Sequence, residues 1–208
     1  MIDLKEIKAQ QQAIQEQGQR LLKHVPIELI CNTYGDYQIG GSFKHSLMLA
    51  SKADIDGYIL VDDKIELMEG LELLGELVKI PEVKRTAIEK NFDGTSEHTL
   101  PHLTLQVKIP FEDHRWNFDI QIINRKDFKS FSYLDFHSYT ESQRLVMLSL
   151  KAELYQRRLY PGSTKLPNSF SSVDVYRAVL EFGVATDDEM IAWGKTHPTL
   201  ADAWKLTH

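Results

Sequence analysis

From residue 103 to residue 109 apolar and polar side chains alternate without a break. Leu103, Leu105, Val107 and Ile109 take one parity, and Thr104, Gln106 and Lys108 the other. A period of two marks a strand with one buried face. Glu112-Asp113-His114 supplies a turn into a second strand from Arg115 to Ile123, so an antiparallel hairpin is predicted. Further upstream, Ile55 to Val61 is a short apolar run that reads as a buried strand.

Other stretches carry the helical period. Residues 3 to 23 place Leu4, Ile7, Ile14, Leu21 and Leu22 at mixed steps of three and four, which predicts an amphipathic helix. Its remainder is rich in glutamine, from Gln10 to Gln12 and at Gln15, Gln17 and Gln19, and is expected to be a solvated face. Gly18 inside that helix costs only about 1 kcal/mol. Lys64 to Lys79 repeats the pattern with Ile65, Leu67, Met68, Leu71, Leu74, Leu77 and Val78, with Asp62 and Asp63 expected to cap it. Beyond residue 138 the chain turns helical, with Thr140 and Gln143 spaced as a capping box and the helix expected to run to about Tyr160. After a serine-rich linker, two shorter helices fit Val173 to Phe182 and Asp187 to Thr196, the second capped by Thr186.

Between these segments, Ile27 to Asn32 has β character, Tyr34-Gly35-Asp36 reads as a turn, and Ser42 to Ser51 fits a short helix. Residues 81 to 101 are mixed and polar, with a turn signal at Asp93-Gly94, and are expected to be loop with at most one short helix. The fold class is therefore α/β (α+β). Residues 1–137 are expected to form an α/β domain with an N-terminal helix, and residues 138–208 a helical C-terminal region.

Composition narrows the functional classes. The 208 residues are 42% hydrophobic and 26% charged, enough for one sizeable domain or a small pair. The formal net charge of −6 argues against a broad, sequence-independent grip on nucleic acid, which rests on Lys and Arg neutralising phosphates. Cys31 stands alone, so no internal disulfide is possible. With no signal-peptide pattern and no apolar run near the roughly 20 residues that span a bilayer, a cytoplasmic location is expected and no membrane partner. The eight histidines have no zinc spacing.

The chemistry concentrates at Ile39-Gly40-Gly41-Ser42-Phe43 and at Asp54-Ile55-Asp56. Residues two apart on a strand face the same side, so Asp54 and Asp56 present two carboxylates to one point. Carboxylates that close repel unless they are protonated or bridged by a cation. Hard oxygen ligands suit Mg²⁺, which keeps its remaining positions for water and phosphate. Glycine backbone can approach a phosphate closely and offer it N–H groups, and Ser42 adds a hydroxyl. Asp119, mid-strand in Trp116-Asn117-Phe118-Asp119-Ile120, is a third carboxylate where a charge is otherwise unfavourable.

These residues resemble the DNA polymerase beta-like nucleotidyltransferase superfamily, whose pattern is a hydrophobic residue, Gly-Ser, a spacer of around ten residues, Asp-x-Asp and a later acid on a neighbouring strand. The resemblance spans roughly residues 38 to 123. It implies a small mixed sheet flanked by helices, followed by a helical region closing over nucleotide or acceptor. It also implies two Mg²⁺ ions, with Mn²⁺ as substitute, held by the catalytic Asp54, Asp56 and Asp119. Gly40, Gly41, Ser42 and the basic Lys44 are the expected nucleotide contacts, and an NTP, ATP first, the donor. The acceptor stays open among a small molecule, a protein and an RNA end. A non-catalytic nucleotide-binding regulatory or toxin–antitoxin-type module on the same fold is the alternative. Arg144 and Lys151 are further triphosphate candidates, though solvated helix charges is the plainer reading, and whether the chain pairs as an oligomer is left open.

Overall fold

The computed structural model describes residues 3–91, 101–161, 169–197 and 199. Five strands form one mixed sheet in the order β1-β2-β5-β4-β3: β1 is Asp36–Gly40, β2 Asp54–Val61, β3 Arg85–Asn91, β4 His102–Phe111 and β5 His114–Asn124. The alternating segment and its neighbour are the hairpin β4–β5, with Leu105 opposite Ile120 and Val107 opposite Phe118. At the centre β2 runs parallel to β5, and β1 returns antiparallel on the far side of β2. The turn signal at Asp93-Gly94 lies outside the described residues.

One face of this sheet carries the main core. Helices α1 (Leu4–His24), α2 (Ile27–Cys31) and α4 (Leu67–Leu77) place Ile14, Leu21, Ile27, Cys31, Leu73 and Leu77 in one cluster with Ile55, Ile59, Leu103, Leu105, Val107, Trp116, Phe118 and Ile120. Each such aliphatic side chain contributes about 1.5–3 kcal/mol of burial. Gly18 is what lets α1 lie close: a Cβ there would run into the Phe43 ring and sit 2.7 Å from Trp116 Cη2. The small helical cost of that glycine is the condition of the contact.

Several expectations are corrected. Ile27 to Cys31 is helical, not extended: Ile27 and Cys31, four apart, are both buried while Leu29 is exposed, a helical period that overrides the β-branched composition. Residues 85–91 form a strand, not a loop. As β3 pairs only with β4, it is an edge, and Arg85, Glu89 and Lys90 are the charged side chains that edges carry. The glutamine-rich face of α1 is only partly solvated, because Gln11 and Gln17 are buried. Gln17 Nε2 donates to Asp113 Oδ1 at 2.7 Å and to Glu112 Oε2 at 3.1 Å, fixing the β4–β5 turn. Asp62 and Asp63 do not cap α4, whose N-cap is Glu66; Asp62 instead pairs with Arg125 at 3.0 Å.

The chain divides into two units. One is residues 12–136; the other is residues 1–11 with 137–208, so α1 contributes to both. In the second unit α6 (Glu141–Gln156), α7 (Ser172–Phe182) and α8 (Asp187–Gly194) all start with capping boxes, at Thr140, Ser171 and Thr186. Their buried residues include Met147, Leu150, Leu154, Val175, Val179, Met190 and Trp193. Arg144 pairs with Glu141 at 2.7 Å. Lys151 is not a solvated charge: it is 1% exposed, with Nζ 3.3 Å from the Tyr176 hydroxyl and close to the rings of Tyr160 and Tyr176. Among the described residues no helix is long and apolar enough to cross a membrane.

Candidate active site

Strand alternation builds the site. On β2 and β5, Ile55, Ile59, Phe118, Ile120 and Ile122 fill the core, so Asp54, Asp56, Asn117 and Asp119 project from the opposite face. The parallel register sets Asp56 beside Asp119 and Asp54 beside Asn117. Farther along that face, Tyr58, Leu60 and Ile123 form a small apolar cluster with Phe128 and Phe131. The acids of that face are therefore confined to the end where β2 begins. All three acids expected from the sequence lie at that end.

The glycine corner meets the acids directly. Gly40, the last residue of β1, pairs with Asp56, and the chain then turns into the four-residue helix α3 (Gly41–Lys44). Gly41 has φ +60°, a left-handed conformation that L side chains rarely adopt, and a Cβ there would run into the Asp56 carboxylate. Position 41 is thus doubly restricted to glycine. Ser42 follows in the same turn, where its carbonyl accepts from the Leu47 N–H at 2.8 Å.

Asp119 has the most unusual surroundings. Its Oδ2 accepts from Asn117 Nδ2 at 2.7 Å, whereas its Oδ1 is buried with no hydrogen-bond partner, as is Asn117 Oδ1. An orphaned buried acceptor costs about 1–3 kcal/mol. Burial pushes the Asp119 carboxyl above the usual carboxylate range. The nearby charge of Asp54 adds to this, while the hydrogen bond from Asn117, the nearness of the Gln106 amide and the charge of Lys52 oppose it. Lys52 Nζ itself stands 2.9 Å from Asp54 Oδ2.

Lys44 is held in an ion pair. Its Nζ lies 2.9 Å from Asp135 Oδ2, which also accepts from Ser132 Oγ at 2.7 Å, and His45 Nε2 is 2.7 Å from Asp135 Oδ1. Burial pushes Asp135 up, but Lys44, Ser132 and His45 together outweigh it and hold its carboxyl below the ordinary range. His45 is shifted down, chiefly by burial. This cluster ties the residues after the glycine corner to the 3₁₀ turn Tyr133–Phe136.

The donor set suits a divalent cation in type: hard carboxylate oxygens from adjacent strands, one of them an orphaned Oδ1. As now placed, no three acidic, imidazole or thiol groups among the described residues are gathered as an ion would need. Asp54 faces Lys52, and one oxygen of Asp119 is engaged by Asn117. The sequence reading passed over Asn117, Gln106 and Asp135. Asn117 was legible in principle, since Asn117-x-Asp119 repeats the two-residue step of Asp54-x-Asp56.

No protein-family model matches the chain, and no curated protein does. Solved structures do. The GLD-2–GLD-3 poly(A) polymerase complex aligns with 97% of the chain at a TM-score of 0.57 and 13% identity, and the GLD-2/RNP-8 complex with 95% at 0.56 and 12%. A cytoplasmic RNA terminal U-transferase aligns with 86% at 0.51 and 16% identity. The chain spans 61%, 72% and 54% of those three chains respectively. At such identities the likeness concerns the fold.

Proposed function

We propose that the chain, whose fold is that of the nucleotidyltransferase structures it resembles, is a metal-dependent nucleotidyltransferase of the DNA polymerase beta-like kind that moves a nucleoside monophosphate from an NTP to an acceptor hydroxyl. The observation that carries this reading is the pairing of Asp56 with Asp119 on one face of β2 and β5, against the backbone of Gly41. A carboxylate oxygen buried without a donor is retained at a cost to stability, which is what a catalytic group demands.

Asp54, Asp56 and Asp119 would hold two Mg²⁺ ions. Bound there, magnesium supplies positive charge to the triphosphate and acidifies the acceptor hydroxyl. The chain's own residues do the rest. Lys52, whose Nζ is 2.9 Å from Asp54 Oδ2, would add positive charge for the phosphates next to the carboxylate ligands. Asp119, whose Oδ1 has no hydrogen-bond partner, would favour loss of the acceptor hydroxyl's proton, which passes to solvent. The acceptor oxygen bonds to the α-phosphorus, the bond to the bridging oxygen breaks, and pyrophosphate leaves with the electron pair. Gly40, Gly41 and Ser42 offer backbone N–H groups and a hydroxyl to the phosphates, and Gly41, free of a Cβ, lets them come close.

ATP is the first donor to test. The similar structures include a poly(A) polymerase complex and an RNA terminal U-transferase, which makes an RNA end the first acceptor to offer, ahead of a small molecule or a protein hydroxyl. The test is pyrophosphate release from each NTP with Mg²⁺ and a short RNA, for the native chain and Asp56→Asn. The native protein is expected to release pyrophosphate, and the variant to lose turnover by about a thousandfold while unfolding at an unchanged temperature. Turnover retained in Asp56→Asn removes the mechanism. Nucleotide binding without release in the native chain favours the non-catalytic module.

A further inference from the structure

Resting on the reading above, we propose that Asn117 is a positioning residue for the metal-binding carboxylate of Asp119 and supplies a further oxygen to the same cation's shell, directly or through one of its waters. The geometry is specific. Asn117 and Asp119 are two residues apart on β5 and share a face, with Asp54 beside Asn117 and Asp56 beside Asp119 in the parallel register. The Asn117 amide nitrogen donates to Asp119 Oδ2 at 2.7 Å, which engages that oxygen and turns the other, Oδ1, away from it. Both Asp119 Oδ1 and Asn117 Oδ1 are then buried with no hydrogen-bond partner.

Two orphaned acceptors on neighbouring same-face residues lack a donor or a cation. The backbone N–H groups of β5 are engaged in the sheet, because β5 is paired on both sides, by β2 and by β4. Such outer partners commonly orient a metal-ligating carboxylate, and removing one lowers metal affinity by roughly 10- to 100-fold. Asn117 has both halves of that role: its nitrogen fixes Asp119, and its oxygen faces the same unfilled need.

Mn²⁺ binding to the full chain, followed by electron paramagnetic resonance in the presence of a non-hydrolysable ATP analogue, tests this without any turnover readout. Asn117→Leu keeps the side chain's size and removes its polar atoms; Asn117→Gln keeps the amide. Asn117→Leu is expected to weaken Mn²⁺ binding roughly 10- to 100-fold, and Asn117→Gln to recover most of the affinity. If Asn117→Leu does not unfold cooperatively, Asn117→Ala takes its place with the same expectation. Native affinity in the leucine or alanine variant overturns the inference while leaving the nucleotidyltransferase reading intact. An equal loss in Asn117→Gln also overturns it, since the amide would then not be what matters. A native chain that binds no Mn²⁺ overturns the parent reading and this inference with it.

Discussion

The two faces of β2 and β5 are made by the same strands, residue by residue in alternation, and they obey opposite rules. On one face Ile55, Ile59, Phe118 and Ile120 are completely buried in the main apolar cluster. On the other, Asp54, Asp56, Asn117 and Asp119 crowd like charges together and leave two buried oxygens unpartnered. The first face is optimised for stability and the second departs from it. The departure is local, because the acid-bearing face becomes apolar again at Tyr58, Leu60 and Ile123.

Substitutions should separate the faces cleanly. Phe118→Ala, on the core face, removes a fully buried ring and is expected to cost about 3–5 kcal/mol, read as a lower urea midpoint at unchanged slope. Its neighbour should behave in reverse. Asp119→Asn is expected to lower turnover about 100- to 1,000-fold yet to unfold at the same or a higher temperature at neutral pH, because it removes a charge that burial disfavours. A large loss of stability in Asp119→Asn would mean that the acid face is structural after all.

Gly41→Ala comes next. It forces a Cβ into the Asp56 carboxylate at a positive φ, and is expected to cost about 1–3 kcal/mol in stability along with most of the activity. Gly75→Ala, where a Cβ meets open space in α4, should raise stability by about 0.4–1 kcal/mol and leave turnover alone.

The smallest effect expected is pH-dependent. The Asp135 carboxyl is held below its ordinary range by Lys44, Ser132 and His45 against the opposing effect of burial, so its stabilising contribution is present above the unfolded carboxylate pKa near 4. It is lost as pH falls through the lowered folded value. Asp119, shifted upward, has the opposite sign: its contribution is present in acid and lost as pH rises through its raised value. Thermal unfolding from pH 2 to pH 7 should therefore show Asp135→Asn destabilised at neutral pH and converging on the native chain in acid. A constant offset across that range would show that the ion pair is not the source.

Much of this was legible in the sequence because it is written in periods. Leu103 to Ile109 announced β4, and Thr140-x-x-Gln143 announced the start of α6, since a strand face and a capping box are local facts. Asp54 and Asp56 were placed on one face by the same two-residue step, and Asp119 was marked by its charge in the middle of an apolar strand. What was not legible depended on partners far along the chain. Ile27 to Cys31 is helical because of what it packs against, and residues 85–91 are a strand because β4 offers them an edge. Gln17 looked solvated until the β4–β5 turn, some 95 residues away, took its amide. The carboxylate that Lys44 pairs with, Asp135, lies 91 residues on and has no local signature. Lys151 gave no sign in sequence of the tyrosines that bury it.

The central claim, that Asp54, Asp56 and Asp119 together bind divalent cations beside the Gly41 corner, is tested most directly by anomalous diffraction from crystals soaked with Mn²⁺ and a non-hydrolysable ATP analogue. The account predicts manganese peaks ligated by oxygens of all three aspartates, with the triphosphate over Gly41 and Ser42. Manganese absent from that face, or bound without Asp119, would contradict it.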